Sequence, residues 1–235
     1  MVNLTNADRF IIAFNKIEKF FDKEIAEKKY IPFYRAVQRL RHTNSVVQRY
    51  KDDLLEFSEL RNAIIHERTE THYAIAEPHD QIVMQIEKIA QELTAPKLVI
   101  PTFSKHLYML DGRDTFEKVL HSIKQTSYSQ FPVYRNEQFV GLLTDKQITQ
   151  WLARNTNKTF ETLLNTQILD LIKSDRDVRN YVFINQQMTI YEAEDIFLKQ
   201  LKHKKRLDAL LITETGKQTE QLLGMVTTND LIHIP

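Results

Sequence analysis

Two stretches of this chain close an aliphatic run on a hydroxyl and place a hydrogen-bonding side chain three residues later. The first is Gly141-Leu142-Leu143-Thr144-Asp145-Lys146-Gln147-Ile148, and the second is Gly224-Met225-Val226-Thr227-Thr228-Asn229-Asp230-Leu231. A Thr at a strand end and an Asp in the first turn of the following helix point into one cleft. There the Thr227 hydroxyl can meet a phosphate or a ribose, and the Asp230 carboxylate can accept two hydrogen bonds from a ribose diol. The adjacent helix N-terminus favours an anion. The first stretch keeps Thr144 but has Gln147 in place of the acid, so the two half-sites are unequal. Without a ligand, the same residues read as helix caps.

A third group lies at Glu59-Leu60-Arg61-Asn62-Ala63-Ile64-Ile65-His66-Glu67. His66 can move a proton at a ribose 2′-hydroxyl while Arg61 holds the charged phosphate. Asn62 and His66, four apart, share a helical face. Arg61 and His66 are about 140° apart around a regular helix, so a joint site needs a frayed end or a partner subunit. An Arg and a His at a helix C-terminus also suit the macrodipole without any chemistry. Nearby, Lys28, Lys29, Arg35, Arg39, Arg41, Arg49 and Lys51 fall in a stretch without acids. It reads as an RNA-facing patch or as a solvated basic face. His66, His72 and His79 lack carboxylate–His helix spacing, so no metal site is expected.

Composition narrows the classes further. Lys plus Arg total 32 against 31 Asp plus Glu, so there is no global attraction to nucleic acid and any polyanion site is local. The chain has 4 glycines and neither a G-x-G-x-x-G nor a Walker motif, which argues against a phosphate loop. Zero cysteines exclude thiolate catalysis, disulfides and cysteine-based zinc. The start, MVNLTNADRFIIAF, lacks signal-peptide features, and no apolar run approaches the roughly 18 residues of a span. The expected location is cytoplasmic, away from membranes.

The elements that must position these residues follow from periodicity. Phe10, Phe14, Ile17, Phe21 and Ile25 make one stripe of a helix over 6–29, with Thr5 and Asp8 as its cap. A second helix opens at Pro32. A third begins near Asn44 or Ser45 and carries Val47, Tyr50, Leu54, Phe57, Leu60 and Ile64. A fourth opens at Pro78 with Ile82, Val83, Ile86, Ile89, Ala90 and Leu93. After Pro96 the pattern turns to short β-type runs. LYML (107–110), a helix over 115–125, QFPVYR (130–135), FVGLLT (139–144) and the helix DKQITQWLAR form one copy. YVFI (181–184), a helix over 189–202, ALLIT (209–213), LLGMVT (222–227) and TNDLIHI form a second. The expected fold class is α+β: an all-helical N-terminal domain over 1–96, then two β-α-β-β-α repeats over 97–157 and 158–235. A unit this small cannot bury both faces of its sheet alone, so the copies should pair.

The two landmarks resemble the G-h-h-T-x-x-D-h signature of cystathionine-β-synthase-type (CBS) domains, and QFPVYR resembles the family's x-x-P-V segment. The resemblance covers roughly residues 97–235. It implies a tandem Bateman module that binds an adenine nucleotide as a regulatory ligand: AMP, ATP, S-adenosylmethionine or cyclic di-AMP. Thr126-Ser127-Tyr128-Ser129-Gln130-Phe131-Pro132-Val133 resembles the Tyr-Ser/Thr-x-h-Pro-Val segment of CBS proteins that bind cyclic di-AMP, with Tyr128 stacking on a base. The implied nucleotide-binding residues are Thr227, Asp230, Thr144, Tyr128, Pro132 and Val133. Lys202, Lys204, Lys205 and Arg206 form a basic cluster that can attract phosphates or simply end a helix. The Arg61-Asn62…His66 group resembles the R-x(4–6)-H motif of HEPN domains, whose active members are dimeric, metal-independent RNases. The resemblances imply a homodimeric nucleotide sensor that signals to a HEPN-like domain and needs no cofactor. The alternatives are a nucleotide-regulated endoribonuclease acting on RNA through Arg61, Asn62 and His66, or a ligand-free dimeric scaffold.

Overall fold

The computed structural model describes residues 4–27, 29–66, 77–104, 107–173 and 180–234. Contacts divide the chain into two compact units, Met1–Lys97 and Leu98–Pro235. Among the described residues no helix is long and apolar enough to cross a membrane.

The first unit is helical: α1 (Asn6–Ile25), α2 (Phe33–Leu40), α3 (Ser45–Arg49), α4 (Lys51–His66) and α5 (Asp80–Thr94). Thr5 caps α1, its Oγ1 accepting from the Asp8 N–H at 3.1 Å while Asp8 accepts from the Thr5 N–H at 3.2 Å. Of the predicted stripe Phe10, Phe14, Ile17 and Phe21 are buried and Ile25 is half-buried; Phe33, Val37, Leu54, Phe57, Ile64, Val83, Ile86 and Ile89 are buried too. Phe14 stacks on Phe33 at 4.5 Å and Phe10 meets Phe57 edge-on at 5.7 Å. The single helix expected from residue 45 is broken at Tyr50, whose backbone leaves the helical region. Burial, then Glu92, pushes the Tyr50 phenol up to about 12. Packing of this ring thus accompanies a break that hydrophobic spacing does not show.

The second unit is α+β. It contains α6 (Val99–Thr102), β1 (Leu110–Asp111), α7 (Phe116–Thr126), β2 (Gln130–Arg135), β3 (Gln138–Thr144), α8 (Asp145–Arg154), α9 (Phe160–Leu164) and α10 (Ile168–Lys173). Then come β4 (Tyr181–Asn185), α11 (Ile190–Lys202), β5 (Ala209–Thr213), β6 (Gly224–Thr227) and a 3-10 turn (Thr228–His233). The repeats form two 3-stranded sheets of one topology, β1-β2-β3 and β4-β5-β6. In each, the first pair is parallel and the second antiparallel. Three expectations are corrected. The strand expected at 107–110 is reduced to Leu110–Asp111, the β-type run after Pro96 contains the helical turn α6, and the second copy closes in a 3-10 turn instead of an α-helix.

Strand alternation divides each sheet between two cores. In β2, Phe131 and Val133 pack with Phe116, Val119, Ile148 and Trp151 of the first repeat. Tyr134, on the opposite face, joins Phe139 and Leu142 against Ala209, Leu211, Tyr181 and Phe183 of the second sheet. Phe139 meets Tyr181 and Phe183 edge-on, each at 5.2 Å. The repeats also exchange their leading segments. Leu98 bridges to Thr189, the N-cap of α11, and Gln167 bridges to Thr115, the N-cap of α7. Gly141 on β3 faces Ile172 of α10, while Gly224 on β6 faces the Phe103 carbonyl beyond α6. Each repeat therefore completes its partner's backbone bonding as well as covering its sheet.

Candidate functional site

The strand registers define a pair of related half-sites. In the first repeat Thr144 stands opposite Gln130, and in the second Thr227 stands opposite Ala209. Ser127-Tyr128-Ser129 therefore leads into β2 as Arg206-Leu207-Asp208 leads into β5. The left-handed Ser127 (φ 57°) ends α7 and turns the chain toward β2.

A cleft of about 250 Å³ opens where the first repeat's lead-in meets the second repeat's signature. Leu107, Tyr108, Pro132 and Met225 give it apolar walls, while Ser127, Tyr128, Ser129, Gln130, Thr227, Asn229 and Asp230 supply its polar groups. The Asp230 Oδ2 accepts from the Thr227 backbone N–H and from Thr227 Oγ1, both at 2.8 Å. That local pairing fixes the carboxylate at the strand end. Tyr128, 49% exposed, lines the same cleft. Tyr108 is held from behind, receiving a hydrogen bond from Ser122 Oγ at 3.1 Å and packing edge-on against Phe131 at 6.1 Å. Among the described lining residues Asp230 is the one charged side chain. The cleft is thus shaped for a flat, partly apolar group with hydroxyl donors, more than for a bare polyanion.

The structure brings Thr227, Asp230, Tyr128 and Pro132 together. It does not bring Val133 there: this residue is fully buried among the first repeat's helices, because the strand pleat turns it away from Pro132. Thr144 is 1% exposed and lies in the other half-site. There it makes a capping box with Gln147, whose Oε1 accepts from the Thr144 N–H at 3.0 Å. Arg206 donates from Nη2 to Thr144 Oγ1 at 2.8 Å and pairs with Asp208 at 2.7 Å. Sequence reasoning placed Arg206 in a basic cluster that attracts phosphates or simply ends a helix in solvent, whereas its guanidinium is turned inward. Leu107, Tyr108 and Met225 were missed as wall residues, since a periodic apolar pattern does not separate cleft from core. The helix-end preference for an anion is not built here, because the segment after Thr227 is a short 3-10 turn.

In the helical unit, the Arg61 guanidinium lies 5.9 Å from the Phe14 ring centre, and its Nη1 donates to Asn62 Oδ1 at 3.4 Å. Arg61 Nε is buried without a hydrogen-bond partner among the described residues. His66 ends α4, and its side chain lies outside the described residues. So do His72 and Lys28.

A family model of the CBS domain matches residues 102–154 and again 176–235. No curated protein matches the chain. Among solved structures, the CBS domain of a CBS domain-containing membrane protein from Sphaerobacter thermophilus is 14% identical, with TM-score 0.48, covering 66% of this chain and 98% of that one. A CBS domain protein from Streptococcus pneumoniae is 18% identical, with TM-score 0.41, covering 66% and 90%. The CBS domain of the bacterial CNNM/CorC family Mg2+ transporter, solved in complex with ATP, is 17% identical, with TM-score 0.43, covering 58% and 85%. The matched segments contain the two β-α-β-β frames. The chain carries a tandem pair of CBS domains.

Proposed function

We propose that the CBS pair is a regulatory sensor that binds an adenine nucleotide in the cleft between Tyr128 and Asp230. The observation that carries this reading is convergence. A stacking ring and small hydroxyls from one repeat meet the Thr227–Asp230 pair of the other in one cleft with apolar walls. A purine fits against Tyr128, Pro132 and Met225, and Asp230 accepts the ribose diol. The volume lies just under the roughly 300–1,000 Å³ of small-ligand sites, which suits a mononucleotide better than a cyclic dinucleotide. The ATP complex of the transporter CBS domain belongs to that protein and serves here only to choose which ligands to try.

We further propose that the chain acts as a homodimer in which ligand occupancy is read out by the helical unit. No chemistry is assigned to that unit, because Arg61, the phosphate holder of the endoribonuclease alternative, lies over Phe14. Calorimetry with AMP, ATP, S-adenosylmethionine and cyclic di-AMP tests the sensor reading. Binding of AMP or ATP is expected, and silence with all four would leave the scaffold reading in its place.

A further inference from the structure

The two half-sites are related by the strand register but are filled differently. Ser127, Tyr128 and Ser129 line one open cleft with Thr227 and Asp230. Opposite Thr144 and Gln147 stand Arg206, Leu207 and Asp208. By register Arg206 is the counterpart of Ser127, so a long guanidinium side chain stands where the related cleft has a short hydroxyl. Its Nη2 reaches Thr144 Oγ1 at 2.8 Å and Asp208 Oδ2 at 2.7 Å. Asp208 is held in turn by Asn180 Nδ2 at 2.8 Å, and its carbonyl accepts from Gln130 Nε2 at 3.2 Å. Thr144 and Gln147 are 1% and 7% exposed. Arg206 Nε is buried with no partner among the described residues.

We infer that Arg206 is a built-in occupant of the first half-site, closing it against nucleotide and limiting the chain to one bound nucleotide. This rests on the nucleotide reading of the open cleft. The chemistry is that of substitution. The guanidinium takes the Thr144 hydroxyl that a ribose or phosphate would use, and Asp208 and Thr144 fix it from both repeats. Gln147 completes the change. A neutral amide already bonded to the Thr144 N–H replaces the carboxylate that would accept a diol. A nucleotide entering this half-site would have to displace a charge-assisted pair that has little access to water. The bridge also ties Thr144 of one repeat to Asp208 of the other, so the closed half-site acts as a joint while the open one binds.

The test is titration of AMP into the full chain by calorimetry, for the wild type, for Asp230→Ala, and for Arg206→Ser combined with Gln147→Asp. The double variant gives the first half-site the second's side chains at two positions, those of Ser127 and Asp230, while Leu207 remains the counterpart of Tyr128. The wild type is expected to bind one AMP per chain, Asp230→Ala to lose at least about fivefold in affinity, and the double variant to take up a second AMP. Two AMP per wild-type chain overturns the inference, as does tight binding that survives Asp230→Ala, or a folded double variant without a second site. If the wild type binds none, the sensor reading of the open cleft fails. The double variant then decides the inference alone: a gain of one AMP upholds occlusion, and no gain overturns it. Should the double variant not melt cooperatively, Arg206→Ser alone replaces it: a second AMP at least about fivefold weaker than the first, because Gln147 lacks the carboxylate, upholds occlusion, and no second AMP overturns it.

Discussion

A methyl group added at Gly224 would lie 2.4 Å from the backbone carbonyl oxygen of Phe103. Gly224 opens β6, and Phe103 follows the helical turn that leads into the first repeat. The related glycine, Gly141, would bring its methyl to 3.1 Å from Ile172 Cγ2, a side-chain atom. The leading glycine of both signatures thus lets the other repeat's leading segment approach a strand closely. This need is independent of ligand.

Gly224→Ala is therefore expected to destabilise the CBS pair by about 1–3 kcal/mol, since a carbonyl cannot step aside as a side chain can. Gly141→Ala should cost less, because Ile172 can shift by a few tenths of an ångström. Denaturant midpoints for the two variants check the order, and equal losses would contradict the packing account.

Asp230→Ala should weaken AMP binding by about 1–3 kcal/mol, the cost of losing hydrogen bonds to a charged acceptor. Tyr128→Ala should weaken it by about 0.5–1.5 kcal/mol through lost stacking. Val133→Ala should instead lower stability with little effect on affinity, because Val133 packs among the helices. Calorimetry and thermal melts on the same samples separate the two kinds of effect.

Glu220 holds the turn between β5 and β6, accepting from the Thr215 N–H at 2.7 Å and from the Thr215 hydroxyl. These bonds pull its carboxyl down to about 2 from an ordinary 4.5. A depressed carboxylate stabilises the fold above its unfolded value, and the contribution is lost as pH falls through the folded one. The Thr215 amide should keep its exchange protection at pH 5 and lose it progressively as pH falls from about 4.5 toward 2. In Glu220→Gln that transition should be absent.

In the helical unit, Arg61→Ala is expected to cost about 0.5–1 kcal/mol through the lost contact with Phe14, leaving AMP affinity unchanged. Full-length protein incubated with RNA in EDTA is expected to leave it uncut. Cyclic phosphate ends that vanish in His66→Ala would restore the endoribonuclease alternative.

By itself the sequence determined the repetition and several of its elements. QFPVYR, DKQITQWLAR and ALLIT became β2, α8 and β5 with the expected bounds, because short apolar runs and helical spacing are local signals. It also singled out Thr227 and Asp230, whose spacing sets a strand end against the following turn. Only the tertiary structure decided what those residues face. Tyr128 and Asp230 line one cleft because two sheets pack together, and no local period encodes which lead-in segment crosses to which signature. The same packing sent Pro132 to the cleft and Val133 to the core, and it turned Arg206 from an exposed basic cluster inward onto Thr144. Side-chain direction at a strand end, and the partner of a charge, depend on a neighbour far along the chain. They are settled when the repeats pair.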